Sequence, residues 1–361
     1  MKVAIVHDWL VTDAGAEKVL KSIVSLFPDA DIFAIVDFLS DHDRQKIIQN
    51  KEVKTTFIQK LPFAKKHFRN YLPLFPKAIE SFDLSSYDLV ISSSWAFAKG
   101  VKTNKNQKHI CYCYTPIRYA WDMYDEYTKD LKQPKKFLVQ QSLKYIKKWD
   151  KKNSDRVDLF IADSHFVAQR IKRNYDREST VIYPPVDTKE FTFYPDKADF
   201  YLTASRLVPY KKTKLIVEAF NDMPDKKLIV IGDGEEYENI KKIAEKNITL
   251  LGKVSHDDMI YYMQRAKAFV YAAIEDFGIV PIEALSCGTP VVALNEGGTK
   301  ETIKEFCGTH FQKQTKSDII QAIKKFETSS FDLKKISLYA KSFSCERFEK
   351  EFMEFLKKSY G

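Results

Sequence analysis

The sequence predicts an α/β protein with two Rossmann-like domains, each built on a parallel sheet. Short apolar runs typical of buried strands alternate with segments whose apolar residues recur at helical spacing, as in βαβ units. With 361 residues the chain is long for one domain and natural for two. A double proline after a predicted strand places the boundary near Asp187, which gives domains 1–187 and 188–342 and a terminal helix in 343–361.

Composition and charge limit the class of protein. The chain is 44% hydrophobic, and it contains no run of about 18 uncharged apolar residues, so we expect a soluble cytoplasmic protein without a signal peptide. The five cysteines suit reduced, buried thiols, and Cys111-x-Cys113 lacks the second pair that a zinc site needs. The formal net charge of +9 favours a polyanionic partner, which leaves nucleic acid, phospholipid headgroups and diphosphate substrates open.

Two glutamates eight positions apart mark the densest candidate site. Glu275 follows the apolar run 268–272, which predicts a buried strand, and Glu283 lies in the first turn of a helix that we expect to begin near Pro281 and to end at Gly288. A second strand is predicted at 291–294. Because ligands of open α/β sheets bind at the carboxyl ends of strands, this pair predicts a binding site rather than solvated surface charge.

This stretch resembles the Glu-x7-Glu signature of retaining GT-B glycosyltransferases of family 4, including the later Gly297-Gly298. The resemblance implies two facing Rossmann-like domains, with a last helix that crosses back to the first domain. It also implies that Glu275 lies against the transferred sugar and that Glu283 binds the ribose of a nucleotide sugar. The surrounding loop would contribute further donor contacts, from Phe277, Gly278, Ile279 and Val280.

Other loops of the chain match the same family. Arg206 and Lys211 fit its Arg-x4-Lys pattern, which implies that they neutralise the donor diphosphate and take part in catalysis. Two short loops would add donor contacts through their backbone, at Gly232, Gly234 and Val254. In the first domain, Gly15 lies in a loop that usually reads Gly-Gly-Ala-Glu in the family and approaches the diphosphate, with Ala14 replacing the first glycine here.

An aromatic stretch in the first domain, 109–122, predicts an acceptor site or sugar floor. Its first half reads as a strand, so the residues after it cluster past the strand's carboxyl end. The candidates are Tyr114, Arg118, Trp121 and Asp122, whose rings and charges suit the apolar faces and hydroxyls of a sugar. The stretch resembles the Tyr-Cys-His-Thr-Pro-x-Arg-Tyr-x-Trp-Asp pattern of the mannosyltransferase-like branch, with Tyr114 in place of the usual histidine.

Two basic segments precede the domain boundary. In 59–77, prolines bracket a mixture of aromatic and basic residues that fits either an irregular helix with a solvated basic face or a helix on an anionic membrane, in which Lys65, Lys66 and Arg69 face the lipid. Residues 132–152 predict a long helix whose lysines form a solvated face. We expect its inner side to contain Phe137, Leu138, Leu143, Ile146 and Trp149.

Taken together, the resemblance implies a hexosyltransferase that uses a nucleotide sugar with retention and needs no metal. The aromatic stretch favours mannose from GDP-mannose, with a UDP-hexose or dTDP-rhamnose as alternatives and a catalytically silent nucleotide-sugar-binding module as a further one. The expected acceptor is a lipid-linked glycan or polysaccharide of O-antigen, capsule or exopolysaccharide synthesis, reached peripherally from the inner face of the cell membrane. A nucleic-acid-binding or ATP-binding protein ranks far behind, because the chain lacks Gly-x4-Gly-Lys-Ser/Thr and any RNA-binding signature.

Overall fold

The computed structural model describes residues 1–122, 124, 128–129 and 131–360. The chain divides into two compact units. The first contains Met1–Tyr183 together with the residues from Glu351 onward, and the second contains Pro184–Lys350. The last helix, Cys345–Tyr360, therefore begins in the second unit and ends in the first. The acceptor and donor roles predicted for the two domains stay predictions.

The first unit is built on a seven-stranded parallel sheet with strand order β3-β2-β1-β4-β5-β6-β7. Its strands are β1 Val3–His7, β2 Asp31–Ala34, β3 Val53–Thr55, β4 Leu89–Ser94, β5 Lys108–Cys113, β6 Leu159–Ala162 and β7 Ser179–Val181. Its α-helices are Gly15–Leu26, Asp41–Ile48, Ala64–His67, Phe75–Ile79, Lys135–Asn153 and His165–Tyr175, with 3₁₀ turns at Phe57–Lys60, Phe68–Leu74, Ala98–Gly100 and Ser154–Arg156. The strand order reverses between β1 and β4, where the ends of neighbouring strands leave a crevice.

The second unit is built on a six-stranded parallel sheet with strand order β10-β9-β8-β11-β12-β13. Its strands are β8 Tyr201–Ala204, β9 Leu228–Ile231, β10 Ile248–Gly252, β11 Ala268–Tyr271, β12 Val291–Leu294 and β13 Gly308–Phe311. Its helices are Thr213–Asn221, Tyr237–Ile243, His256–Arg265, Ile279–Ser286, Gly298–Thr302, Lys316–Glu327 and Leu333–Ala340, with 3₁₀ turns at Pro209–Lys211 and Lys341–Phe343. Here the order reverses between β8 and β11, beside the loops of the candidate site. The two sheets confirm the predicted α/β class.

One face of the first sheet is covered by a layer of irregular helices packed on a shared aromatic core. The rings of Phe68 and Phe75 stack 6.3 Å apart, Phe75 contacts Phe97 at 5.3 Å, and Phe97 contacts Trp149 at 5.4 Å. The segment 57–79 and the helix Lys135–Asn153 therefore cover the same side of the sheet. The irregular helical structure predicted for the first of these is confirmed.

The inner side predicted for the long helix was partly wrong. Leu143, Ile146 and Trp149 are buried as expected, whereas Phe137 is 55% exposed and Leu138 is 63% exposed. At 100° per residue Phe137 lies about 120° from Leu143 and about 180° from Ile146, among the lysines, so burying it would turn the lysine face inward. Leu138 lies only about 20° from Trp149 and is exposed in the first turn of the helix. Helical spacing of the apolar residues could not show this, because the helix carries apolar residues on two faces.

Two further features of the structure concern the cysteines and the hydropathy of the helices. All five cysteines are free, and Cys111 and Cys113 lie on one face of β5 in a common apolar cluster. Among the described residues, none of the helices is long and apolar enough to cross a membrane.

Candidate functional site

The centre of the candidate site in the second unit is a group of three polar side chains at the ends of β8 and β11. Lys211 forms an ion pair with one carboxylate oxygen of Glu275, and the Tyr271 hydroxyl donates to the other. The Lys211 ammonium also lies 3.4 Å from the Tyr271 hydroxyl. Both charged side chains stay partly accessible, Lys211 at 14% and Glu275 at 21%. The sequence predicted the two charges but missed Tyr271, which looked only like part of the apolar run 268–272.

The loop that carries Lys211 also carries Arg206, whose side chain is exposed. The backbone of this loop is fixed by its neighbour: the Leu207 N–H donates to the Asp233 carbonyl at 2.9 Å, and the Glu236 N–H donates to the Leu207 carbonyl at 3.0 Å. Gly232 and Gly234 have φ of +135° and +154°, and a Cβ at either would clash with the 205–207 backbone. The absence of a side chain at these two glycines thus makes room for the backbone of the neighbouring loop, residues 205–207. Their predicted contact with a donor stays a prediction.

Two more glycines, Gly297 and Gly298, pack against the backbone of the loop that contains Glu275. The Gly298 N–H donates to the Glu275 carbonyl at 2.8 Å, and a Cβ on Gly297 or Gly298 would clash with the backbone of Glu275 or Phe277. Gly297 also has a φ of +70°, which disfavours any side chain. The glycine pair therefore positions the loop that holds the candidate catalytic carboxylate.

The helix after this loop begins earlier than predicted. It runs from Ile279 to Ser286, with Gly278 at its N-cap, so Pro281 is its third residue and Glu283 lies in the second turn instead of the first. Glu283 is only 5% exposed. The predicted end is correct: Gly288 has a φ of +74°, and its N–H caps the Leu285 carbonyl at 2.9 Å.

Four further residues were predicted from the sequence to contact the donor: three lie at the start of this helix, and Val254 lies in the loop between β10 and the helix His256–Arg265. Phe277 is buried, with its ring 5.7 Å from that of Phe343. Ile279 and Val280 open the helix and are half-buried, and Val254 is half-buried just before the helix His256–Arg265. The second unit thus brings together Arg206, Lys211 and Glu275 at neighbouring strand ends.

In the first unit, Gly15 is the first residue of the helix Gly15–Leu26, and a buried polar network holds this helix start. The Tyr114 hydroxyl donates to the Ala16 carbonyl at 2.9 Å and lies 2.8 Å from the Ser93 hydroxyl, which in turn lies 3.0 Å from Nδ1 of His7. Because the phenol donates to a carbonyl, Ser93 donates to the phenol oxygen, and Nδ1–H of His7 donates to Ser93. Burial raises the pKa of the Tyr114 phenol well above its ordinary value, so it stays a neutral donor.

The other residues of the predicted sugar floor make contacts within the first unit. The Trp121 indole N–H donates to the Asp150 carboxylate at 2.8 Å. Asp122 is bound by Arg173 and by Arg170, the latter at 3.1 Å. Arg118 is half-buried. These contacts give Trp121 and Asp122 a structural role, and a contact with sugar stays a prediction.

The basic residues of the segment 57–79 differ in their surroundings. Lys65 and Lys66 are exposed on the short helix Ala64–His67. Arg69 is exposed as well, but its guanidinium lies over the rings of Phe68, at 4.7 Å, and Trp9, at 5.8 Å. Lys65 and Lys66 are therefore the more accessible cations for a partner.

Comparison with known proteins decides the family. Residues 187–343 match the family described as glycosyl transferases group 1, and residues 15–190 match glycosyltransferase family 4. The chain belongs to glycosyltransferase family 4. The α/β architecture of this glycosyltransferase is that of the GT-B fold.

Curated relatives of this glycosyltransferase match at modest identity. An uncharacterised glycosyltransferase of Methanocaldococcus jannaschii is 29% identical over 194 residues, which cover 52% of this chain and 54% of that protein. A GDP-mannose-dependent monoacylated α-(1-6)-phosphatidylinositol monomannoside mannosyltransferase of Corynebacterium glutamicum is 28% identical over 189 residues, covering 44% and 50%. The chain spans about half the length of these two relatives.

Solved structures agree on the fold. The Anabaena protein HepE in complex with UDP-glucose superimposes with a TM-score of 0.69 at 18% identity over 99% of this chain and 100% of that chain. Sucrose-phosphate synthase of Thermosynechococcus elongatus gives 0.71 at 16% identity over 100% and 99%. At these identities the likeness shows the fold of the glycosyltransferase and nothing finer. Within the described parts of the chain, no group of three or more His, Cys, Asp or Glu side chains could hold a metal ion.

Proposed function

We propose that this glycosyltransferase moves a hexose from a nucleotide sugar onto a lipid-linked or polysaccharide glycan, with retention at the anomeric carbon. The single observation that carries the proposal is the contact of Lys211, Glu275 and Tyr271 at the ends of β8 and β11, beside the exposed Arg206. A cation paired with a carboxylate and a second cation on the same loop, at the edge where open sheets bind ligands, suit a sugar diphosphate.

The roles follow from charge. When a nucleoside diphosphate leaves, negative charge grows on its phosphate oxygens, and Arg206 and Lys211 stabilise that charge. In the structure Lys211 is held by Glu275 and Tyr271, so it is already oriented before a donor arrives. Glu275 accepts hydrogen bonds from sugar hydroxyls, and the more deeply buried Glu283 accepts them from the ribose. The charge is neutralised by side chains, so the proposal includes no metal cofactor.

We propose GDP-mannose as the donor and mannose as the transferred sugar. The aromatic stretch before Asp122 and the GDP-mannose-dependent activity of the Corynebacterium relative support this choice. A UDP-sugar is the second candidate, because the Anabaena structure contains UDP-glucose. Thermal-shift titration with GDP-mannose, UDP-glucose, UDP-N-acetylglucosamine and dTDP-rhamnose separates them. A shift with a UDP-sugar and none with GDP-mannose reverses the donor assignment, and no shift with any nucleotide sugar contradicts the binding site.

The proposed acceptor is borne by a membrane, and the enzyme reaches it peripherally from the inner face. Support comes from the net charge of +9 and from the exposed Lys65 and Lys66 in the segment 57–79. Each basic residue near an anionic surface contributes about 1 kcal/mol, and such binding weakens as salt rises.

Co-sedimentation with anionic and with neutral vesicles, at low and high salt, tests this location. The wild type is compared with a Lys65→Ser/Lys66→Ser variant, which leaves the stacked Arg69 in place. We expect salt-sensitive binding to anionic vesicles that falls in the variant. A wild type that ignores anionic vesicles points to a soluble acceptor instead.

A further inference from the structure

The outer face of the helix Lys135–Asn153 combines exposed apolar side chains with lysines. Phe137, Leu138 and Tyr145 are 55%, 63% and 51% exposed. At 100° per residue they lie within about 100° of one another, interleaved with the exposed Lys144 and Lys148. A helix needs one apolar stripe to pack on its domain, and here Leu143, Ile146 and Trp149 already supply it. The exposed group adjoins Trp149 at one edge, but none of its three side chains is buried in the core.

The charge on this helix has one sign. Residues 131–153 contain eight lysines and a single acidic residue, Asp150. Asp150 is fully buried, 3.1 Å from the buried Lys99 ammonium, and its other oxygen accepts from Tyr175 at 2.6 Å. The exposed face of the helix therefore presents cations with no carboxylate among them.

The segment 53–79 is also basic and also exposes an apolar side chain. Residues 53–79 contain six Lys and Arg and no Asp or Glu. Phe63, flanked by Lys60 and Lys65, is 81% exposed, and it is held at a φ of +56° by a turn in which the Tyr71 hydroxyl donates to the Pro62 carbonyl at 2.8 Å. A bulky residue fixed in the left-handed region with its ring in solvent is costly without a partner.

Both elements pack on one aromatic core, so their outer surfaces point away from the same side of the sheet. We propose that these two outer surfaces, which we call the basic layer, together form a docking surface for an anionic membrane, with Phe63, Phe137 and Leu138 entering the interface. Aromatic and aliphatic side chains insert at the headgroup level, while the lysines contact lipid phosphates. The inference deepens the proposed function and rests on its membrane-borne acceptor.

The test is binding of the full chain to phosphatidylglycerol-containing vesicles. For Phe137→Ser/Leu138→Ser we expect partitioning to fall by about tenfold, because two apolar anchors are lost without any change of charge. The matched control is Leu338→Ser, which changes a 55% exposed leucine on the second unit and should bind like the wild type.

A second pair of variants tests the charge. Lys144→Gln/Lys148→Gln should weaken binding and flatten its salt dependence. Lys241→Gln/Lys242→Gln, an equal change at exposed positions of the second unit, should not. If both pairs behave alike, net charge and not this helix drives binding, and the proposal is overturned.

A direct readout uses Phe137→Trp. Lipids brominated in their acyl chains should quench its added fluorescence, whereas an unquenched indole on bound protein contradicts insertion. If the wild type binds vesicles and only the Lys65→Ser/Lys66→Ser variant weakens, the inference fails while the membrane location survives. If the wild type binds duplex RNA and no vesicles, both fail. Donor titration of each variant shows separately whether the nucleotide-sugar site is intact.

Discussion

The same edge of each sheet holds a buried carboxylate group in one unit and an accessible one in the other. In the first unit, Asp8 directly follows β1 and is fully buried. Its two oxygens accept four backbone N–H groups, from Trp95, Ala96, Phe97 and Ala98, at 2.5 to 2.9 Å. In the second unit, Glu275 is bound by two side chains and stays 21% accessible.

The difference teaches how to distinguish a structural carboxylate from a candidate functional one where the strand order of a sheet reverses, between β1 and β4 in the first unit and between β8 and β11 in the second. Burial raises the pKa of the Asp8 carboxyl, while Lys99 and the amides act against the rise. Every lone pair that Asp8 can offer is used by the chain, so it has no capacity for a substrate. Lys211 and Glu275 form an ion pair in which both side chains stay partly accessible, so a ligand can still reach them.

The largest expected effect is on stability. Asp8→Ala leaves four buried amides without an acceptor and should lower the free energy of unfolding by about 3 to 5 kcal/mol. Glu275→Ala should cost less than about 1 kcal/mol, because its partners can turn to water. Urea unfolding of both variants checks this. Equal losses would abolish the distinction between the two carboxylates.

The next effect is on catalysis. Glu275→Ala should lower kcat by about 100-fold with a smaller change in donor affinity, because its contacts strengthen as charge develops on the sugar. Glu283→Ala should weaken donor binding as well. Steady-state kinetics with calorimetric donor titration separates the two, and full turnover in the Glu275 variant would refute its role.

A smaller effect is expected for the cations. Arg206→Ala and Lys211→Ala should each weaken nucleotide-sugar binding by about 1 to 3 kcal/mol, the scale of a lost charged hydrogen bond. Lys214→Ala, an exposed lysine on the following helix, is the control and should bind normally. Unchanged calorimetric affinity in both test variants would remove the diphosphate assignment.

The smallest effect concerns pH. His109 is buried, with Nε2 2.9 Å from the Ser92 hydroxyl and Nδ1 3.2 Å from the Arg156 carbonyl, and burial lowers its pKa to about 4. The unfolded chain protonates this histidine near 6.5, so the unfolded state binds more protons between those values and stability falls as pH drops through them. We expect about 1 kcal/mol of loss between pH 6.5 and 5.5.

Unfolding at several pH values checks this last effect. The loss should shrink by about 1 kcal/mol in His109→Gln, with the remainder due to His310, whose pKa burial also lowers. It should be unchanged in His42→Gln, which changes an exposed histidine. An unchanged pH slope in His109→Gln would assign the titration to another group.

The sequence predicted the inner strands well, and the reason is physical. Val291–Leu294 was predicted to the residue, and the predicted run 268–272 covers the strand Ala268–Tyr271, because strands buried on both faces read as continuous apolar runs. The edge strands Val53–Thr55 and Gly308–Phe311 were missed, since polar residues interrupt their apolar positions.

Lys211 and Glu275 were predicted as site residues because each lies in a sequence pattern of the resembled family, Arg-x4-Lys and Glu-x7-Glu. Tyr271 and Asp8 were not, because their roles depend on neighbours from other strands. Tyr271 meets Lys211 across sixty positions and Asp8 meets Trp95 across eighty-seven, separations that local pattern cannot bridge.

The glycine pair behind Glu275 limits how this enzyme can be re-engineered. Since any side chain at Gly297 or Gly298 would collide with the backbone of Glu275 or Phe277, a variant library aimed at new sugar preferences gains nothing from these positions. Ile279 and Val280 are half-buried and lie in regular helix, so substitutions there can change the side chains without moving the Glu275 carboxylate. Ile279 and Val280 can therefore be varied, whereas Gly297 and Gly298 cannot.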